Sequence, residues 1–206
     1  MTKAIYIGIL ISLFTLNNAS ADSPLTSTDF YKAYEKLSII ELASTSKGLL
    51  NEKLISYLAD KNNPIDVKTA LINRLGWNIK GKFNATVFIK FLKAKYKYKN
   101  EEALKNGLSA SDLISIAYLK AMDDYFDVKE ALVYATLALA KDPKSYTINI
   151  IQSLIASQAF VMKNYCQVFK MVDKVRANQN LTIDFKKEAS EIVFQYIDRY
   201  KKYCKN

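Results

Sequence analysis

The stretch YFDVKEALVYATLALAKDP, residues 125–143, decides the fold class of this chain. Asp127 precedes an apolar, alanine-rich run, and Glu130 follows it by three residues, which is the spacing of a helix-capping box. Alanines then return every three to four positions, so that one face of the helix permits close packing. The dipeptide Asp142-Pro143 ends the run, because a residue before proline disfavours helical torsion angles. We therefore expect a helix here that packs closely against a neighbour.

Similar start and stop signals mark helices along the rest of the chain. Ser109 with Asp112 repeats the capping-box spacing, and Asn63-Pro64 and Asn84 stand where N-caps are expected. Glycine and proline number only five and three, whereas strand-rich folds need many turns built from these residues. The sequence therefore predicts an all-α chain in which short loops join antiparallel neighbours. The expected helices include 47–59, 147–163, 165–177 and 184–203.

Residues 109–177 resemble the tetratricopeptide (TPR) repeat, a helical hairpin that recurs about every 34 residues. Ala131, Ala138 and Pro143 stand at the alanine, alanine and proline positions of that family. Weaker echoes of the pattern begin near Asn164 and near Ile65, at an irregular spacing. The departures from the family pattern are Ser115, Leu119, Met122 and Ala135.

The resemblance implies antiparallel helical hairpins that stack into a TPR-like right-handed superhelix. A closed helical bundle is the alternative, because alanine also serves at ordinary helix contacts. We interpret residues 22–206 as a single domain, since a chain of this length is sufficient for one continuous core.

The amino terminus has the layout of a secretory signal peptide. Lys3 precedes a mostly apolar run, residues 4–16, and Ala19-Ser20-Ala21 supplies the small residues that signal peptidase requires. The run is shorter than the roughly 20 residues of a membrane-spanning helix. We predict that residues 1–21 are cleaved and that the mature chain is periplasmic or secreted, without an integral membrane segment. An uncleaved membrane anchor is the alternative.

The composition excludes several classes of enzyme. The chain has no histidine, which excludes Ser-His-Asp and Cys-His nucleophile systems and histidine-containing zinc sites. Its two cysteines are too few for a zinc site built from cysteine alone. We predict no enzymatic activity, no cofactor and no bound metal. A carboxylate-dependent hydrolase of the cell envelope is the remaining catalytic alternative.

Between Asp66 and Glu101 the sequence has no acidic residue but many lysines and aromatic residues. This mixture suits an anionic partner, because lysines attract negative charge and aromatic rings supply contact area. A solvated helix face is the alternative, since lysines are usually exposed in any case. The candidate partner-binding residues are Trp77, Lys80, Lys82, Lys90, Lys93, Lys95, Tyr96, Lys97, Tyr98 and Lys99.

The formal net charge of +10 and the predicted export narrow the choice of partner. Export makes nucleic acid a poor candidate and favours a protein or peptide, including an acidic one. We therefore predict an exported, non-catalytic binding scaffold that recognises a protein or peptide in the cell envelope. An immunity-type inhibitor of a toxin that acts in the envelope is one alternative, and the hydrolase is the other.

Cys166 and Cys204 are candidates for a disulfide bond, because exported proteins form disulfides in oxidising compartments. If the last two expected helices ran straight and antiparallel, Cys204 would lie about 13 Å beyond the residue opposite Cys166. A disulfide needs a Cα separation of roughly 4.4–6.8 Å. The bond therefore requires that the last helix end early or cross at a steep angle, and the sequence leaves both outcomes open.

Overall fold

The computed structural model describes residues 23–204, which form eleven α-helices and two 3₁₀ helices. The α-helices are α1 (Pro24–Ser27), α2 (Ser38–Thr45), α3 (Glu52–Leu58), α4 (Ile65–Leu75), α5 (Asn84–Tyr96), α6 (Glu101–Gly107), α7 (Ala110–Asp123), α8 (Lys129–Lys141), α9 (Tyr146–Gln158), α10 (Tyr165–Ala177) and α11 (Lys187–Ile197). The 3₁₀ helices are Phe30–Tyr34 and Asp198–Tyr203. These residues contain no sheet, and consecutive helices pack as antiparallel pairs. The all-α prediction is confirmed.

Two of the predicted helix boundaries are confirmed at α7 and α8. The Ser109 hydroxyl oxygen accepts the Asp112 amide hydrogen at 3.1 Å, and the Asp112 carboxylate accepts from the Ser109 amide in return. Helix α8 ends immediately before Asp142-Pro143. Both features depend on residues that are neighbours in the chain, and so the sequence alone predicts them.

The predicted capping of α8 is wrong. The helix begins at Lys129, and Asp127 accepts the Lys129 amide hydrogen instead of forming a capping box with Glu130. Asp124 accepts from the amides of Phe126 and Asp127, which forms a turn before the helix. These aspartates therefore bend the loop between α7 and α8.

Three other expected helices differ at their ends. Lys47 and Gly48 have φ angles of 55° and 78°, so that α3 starts only at Glu52. Met162 has a φ of 65°, and the residues after α9 form turns where the helix was expected to continue. Helix α11 starts three residues later than expected, at Lys187.

Six of the helices between α4 and α10 form two rows that run in opposite directions. Lys68 and Asn73 of α4 donate hydrogen bonds to Ser111 and Tyr118 of α7, in the same order along both helices, and so α4 and α7 run parallel. Helices α4, α7 and α9 bury eight, eleven and nine residues, whereas α5, α8 and α10 bury four each. We call the first three helices the inner row and the other three the outer row.

Residues 23–34 lie against the inner row and the last helix. Leu25, Phe30 and Tyr34 of this segment are buried. The 3₁₀ helix Phe30–Tyr34 packs on α4 and α11, and α1 packs on α9 and α11. The amino-terminal segment of the described chain is therefore in contact with the last α-helix.

A disulfide bond joins Cys166 to Cys204, whose Cα atoms are 4.8 Å apart. The straight antiparallel arrangement considered above does not occur, because α11 packs against Phe30–Tyr34 and ends at Ile197. The 3₁₀ helix Asp198–Tyr203 then packs along α10 and brings Cys204 to Cys166. The last α-helix therefore ends early, which is one of the two arrangements that the bond requires.

The predicted signal peptide, residues 1–21, lies outside the described residues. Within residues 23–204, no helix is long and apolar enough to cross a membrane. The buried apolar side chains from Leu25 to Tyr200 belong to one connected core.

Candidate partner-binding surface

The start of α5 is tied to the loop between α2 and α3. Asn84, which the sequence predicts as an N-cap, is instead the first residue of the helix. Its buried side chain accepts the Leu50 amide hydrogen and donates to the Gly48 carbonyl, both at 2.9 Å. The predicted cap is therefore wrong, and Asn84 connects two loops that are more than 30 positions apart in sequence.

Asp123, the last residue of α7, caps α5 from a distance. One carboxylate oxygen accepts the Ala85 amide hydrogen at 2.8 Å, and the other has no hydrogen-bond partner among the described residues. Burial raises the pKa of this carboxyl above its usual range, although the backbone amides of Ala85 and Asn84 oppose that effect. The residue before the helix is Phe83, whose side chain cannot accept a hydrogen bond. The remote carboxylate therefore replaces a local cap.

Lys82 and Trp77, both predicted to bind a partner, stabilise the loop between α4 and α5. Lys82 Nζ donates to the carbonyl oxygens of Leu75 and Gly76 at 2.7 and 2.8 Å. It thereby satisfies the carboxyl-terminal end of α4, where the helix dipole is negative. Burial lowers the pKa of this amine. Trp77 packs edge-on against Tyr125, with ring centroids 4.7 Å apart.

Large apolar side chains on this loop and along α5 are exposed. Phe83 is 78% exposed and Ile79 is 69% exposed. Val87 and Phe91 follow Phe83 at intervals of four residues, so that the three lie on one face of the helix, and each is at least a third exposed. Exposed lysines lie beside them. We define the α5 surface as Ile79, Lys80, Phe83, Val87, Lys90 and Phe91.

Two hollows flank Phe83. One, of about 430 Å³, is lined by Leu49 and Val87 and lies against the loop between α2 and α3. The other, of about 470 Å³, is lined by Ile79 and Phe126 and lies against the loop between α7 and α8. Apolar walls on both sides of a protruding ring suit the insertion of apolar side chains from a partner.

Three predicted residues at the other end of α5 have structural contacts. Lys95 Nζ donates to the Ala59 carbonyl at 2.7 Å, just beyond α3. The Tyr96 hydroxyl is buried. Tyr98 packs so closely on Gly107 that a side chain at that glycine would overlap its ring. These contacts hold α3, α5 and α6 together.

Lys93, Lys97 and Lys99 complete the predicted set. Lys97 ends α5 with a φ of 56°, and Lys97 and Lys99 are exposed whereas Lys93 is half-buried. A helix of 13 residues is about 20 Å long, so that these lysines lie far from Lys80. Of the predicted set, only Lys80 and Lys90 belong to the α5 surface.

The sequence did not identify the apolar members of the α5 surface as site residues. Val87, Phe88, Phe91 and Leu92 all fit one helical apolar pattern, but only Phe88 and Leu92 are buried. The sequence does contain one signal that could have identified them. The apolar positions of α5 cover two adjacent faces of the helix, whereas a single buried stripe covers only one face.

Two of the carboxylates near this surface are paired with lysines, whereas Asp123 and Asp124 accept hydrogen bonds from backbone amides. Asp127 and Glu130 line a hollow of about 410 Å³ between α7 and α8, where Glu130 pairs with Lys120 and Asp127 with Lys129. Residues 23–204 contain no group of three or more histidine, cysteine or carboxylate side chains that could hold a metal ion.

The α5 surface combines protruding apolar side chains with exposed lysines, a composition suited to contact with another macromolecule. Comparisons of this chain with protein-family models, with curated proteins and with solved structures find no match.

Proposed function

We propose that this protein is an exported, non-catalytic binding scaffold that recognises a protein or peptide partner through the α5 surface. The observation that carries the proposal is the exposure of Phe83, Val87 and Phe91 along one side of α5, with the exposed Ile79 beside Phe83. Large contiguous patches of exposed apolar surface are uncommon on soluble proteins and usually mark an interaction site.

The lysines of the α5 surface indicate the chemistry of the partner. Lys80 and Lys90 form no ion pair with a carboxylate within the described residues. A partner segment with apolar side chains next to Asp or Glu complements both features of the surface. The carboxylates would contribute orientation and association rate more than affinity.

We also propose that the two rows stack as a TPR-like right-handed superhelix. The alternation of inner and outer helices among α4, α5 and α7 to α10 supports this proposal, as does the burial of Ala131, Ala135 and Ala138 on α8. Residues 23–34 differ from the pattern of an open superhelix, because they pack against both α4 and α11.

Export to the periplasm or the exterior is supported by the disulfide bond between Cys166 and Cys204, since disulfides persist in oxidising compartments. Cleavage after Ala21 gives a mature chain that begins at Asp22, as intact-mass measurement of the exported protein should show. A mass that retains residues 1–21 would contradict this part of the proposal.

Site-specific photocrosslinking in the exporting cell tests the proposed surface. A photoreactive phenylalanine analogue at Phe83 should crosslink to one partner, and the same analogue at Ile183, which is 70% exposed in the loop before α11, should not. Peptide mapping should place the crosslink in a partner segment that has carboxylates beside apolar residues. Equal crosslinking from both positions would contradict the proposal.

Affinity for the captured partner should depend on the apolar residues first and on charge second. Phe83→Ser combined with Phe91→Ser should weaken binding by about 30-fold or more, as expected for aromatic anchors of about 2 kcal/mol. Lys80→Gln combined with Lys90→Gln should weaken it a few-fold and reduce its salt dependence. A control, Met162→Ser with Ile183→Ser, removes two exposed apolar residues elsewhere and should leave the affinity unchanged.

A further inference from the structure

Residues 23–34 are bound to the inner row much as a peptide ligand is bound to a receptor. Three anchors, Leu25, Phe30 and Tyr34, are at most 1% exposed. Their partners come from elements that are remote in sequence. The segment is joined to α2 through residues 35–38, all of which are exposed.

Asn73 of α4 recognises the backbone of this segment at two points. Its side-chain amide donates to the Thr28 carbonyl at 3.0 Å, and its oxygen accepts the Tyr31 amide hydrogen at 3.0 Å. The amide also donates to the Tyr118 hydroxyl at 2.9 Å, which fixes its orientation. In peptide recognition, bonds to the main chain give affinity and pockets for side chains give specificity.

The first aromatic anchor is enclosed by rings from two other elements. Phe30 stacks on Tyr118 of α7 at a centroid distance of 6.3 Å and meets the edge of Phe185 at 5.2 Å. Tyr118 thus contacts the anchor through its ring and orients Asn73 through its hydroxyl. One inner helix therefore contributes both to the pocket and to the backbone contact.

The second aromatic anchor is held by hydrogen bonds on both sides. The Tyr34 hydroxyl donates to Asp66 at 2.9 Å and accepts the Lys186 amide hydrogen at 3.1 Å. Lys186 Nζ donates to the Ala33 carbonyl at 3.2 Å and lies 4.7 Å from the centre of the Tyr34 ring. At the other end of the segment, Ser23 donates to Gln158 of α9.

We propose that residues 23–34 are a displaceable intramolecular ligand in a segment-binding groove on the inner row. The external ligand that competes for this groove is a short peptide segment that adopts the same helical turns, with one aliphatic and two aromatic anchors at the spacing of Leu25, Phe30 and Tyr34. A tethered occupant acts at an effective concentration in about the millimolar range, so that only a better-matching segment displaces it. The α5 surface lies on the outer row, and each proposal stands without the other.

Cleavage of the tether tests the exchange. A protease site introduced into residues 35–38 of the full chain allows residues 23–34 to be released after folding. A fluorescent peptide of residues 23–36 should bind the cleaved protein and should bind the uncleaved protein at least tenfold more weakly, as measured by anisotropy. The same peptide with Phe30→Ala should bind the cleaved protein at least tenfold more weakly than the unmodified peptide. A cleaved protein that keeps its helical circular dichroism but binds no peptide, or equal binding before and after cleavage, overturns the proposal.

Hydrogen exchange on the uncleaved wild-type chain decides the matter even if the cleaved protein unfolds. The Tyr31 amide, which is bonded to Asn73, should exchange through local opening at least tenfold faster than the slowest amides of α7. Equal rates with equal denaturant dependence would mean that the segment opens only when the whole protein unfolds, and would overturn the proposal.

Discussion

Helices α4 and α5 are consecutive in the chain and have opposite surroundings. Helix α4 buries eight of its eleven residues, and α5 buries four of its thirteen. Helix α4 packs against α2, α7 and the segment Phe30–Tyr34, whereas α5 has an open face. The first helix therefore forms the centre of the fold, and the second presents the candidate binding surface.

The comparison shows that polarity alone does not decide burial in this protein. Lys68 of α4 is 1% exposed and donates to Ser111 at 3.1 Å. Burial lowers the pKa of its amine, and the nearby Asp112 carboxylate acts in the opposite direction. On α5, by contrast, Val87 and Phe91 are exposed although they are apolar. At these positions, the neighbours that each row provides decide burial.

The two helices should differ most in how much the free energy of unfolding falls when one of their apolar side chains is truncated. Leu71 of α4 is fully buried, and Leu71→Ala should lower the free energy of unfolding by about 2–5 kcal/mol because it leaves a cavity. Val87→Ala on α5 should lower it by less than about 0.5 kcal/mol. Urea denaturation of both variants measures the two values. A similar loss in both would break the comparison.

The loop between the two helices gives a smaller contrast. Lys82→Gln should lower the free energy of unfolding by about 1–2 kcal/mol, because it removes charged hydrogen bonds from the end of α4. Lys80→Gln, at an exposed position, should change it by less than about 0.5 kcal/mol. Thermal unfolding of the pair distinguishes the structural lysine from the surface lysine. Equal stability of both variants would mean that the Lys82 contacts contribute nothing to the fold.

The smallest expected effect is a pH dependence at the start of α5. The pKa of Asp123 is raised by burial in the folded protein, so that the folded state keeps this proton to a higher pH than the unfolded state does. Ionisation of Asp123 therefore reduces stability as the pH rises through the raised pKa. Asp123→Asn keeps an acceptor for the Ala85 amide and does not titrate.

The wild type should accordingly lose stability relative to Asp123→Asn as the pH rises from about 4, the ordinary aspartate pKa, and the difference should become constant above the raised pKa. Urea denaturation of both proteins at several pH values measures this difference. A difference that stays flat over the whole range would argue against the burial of the Asp123 charge.

The roles of some residues near the binding surface depend on contacts that cannot be read from the sequence. Lys82 and Lys95 resemble Lys80 and Lys90 in the sequence, yet they bind backbone carbonyls at the ends of α4 and α3. Asn84 has the residue type of an N-cap, but its partners lie in the loop before α3. The helical pattern of α5 is correct, but it does not show which apolar face a neighbour covers.

The sequence by itself determined that the chain is helical and where some helices begin or end, because capping and apolar periodicity involve residues within one or two turns of each other, as at Ser109 and Asp112. Only the tertiary structure decided which helices are covered. Tyr34 meets Lys186 across more than 150 positions, and α11 reaches Cys166 only through the 3₁₀ helix that follows it. Burial depends on such remote contacts, since a side chain is removed from water by whatever element packs on it, wherever that element lies in the chain.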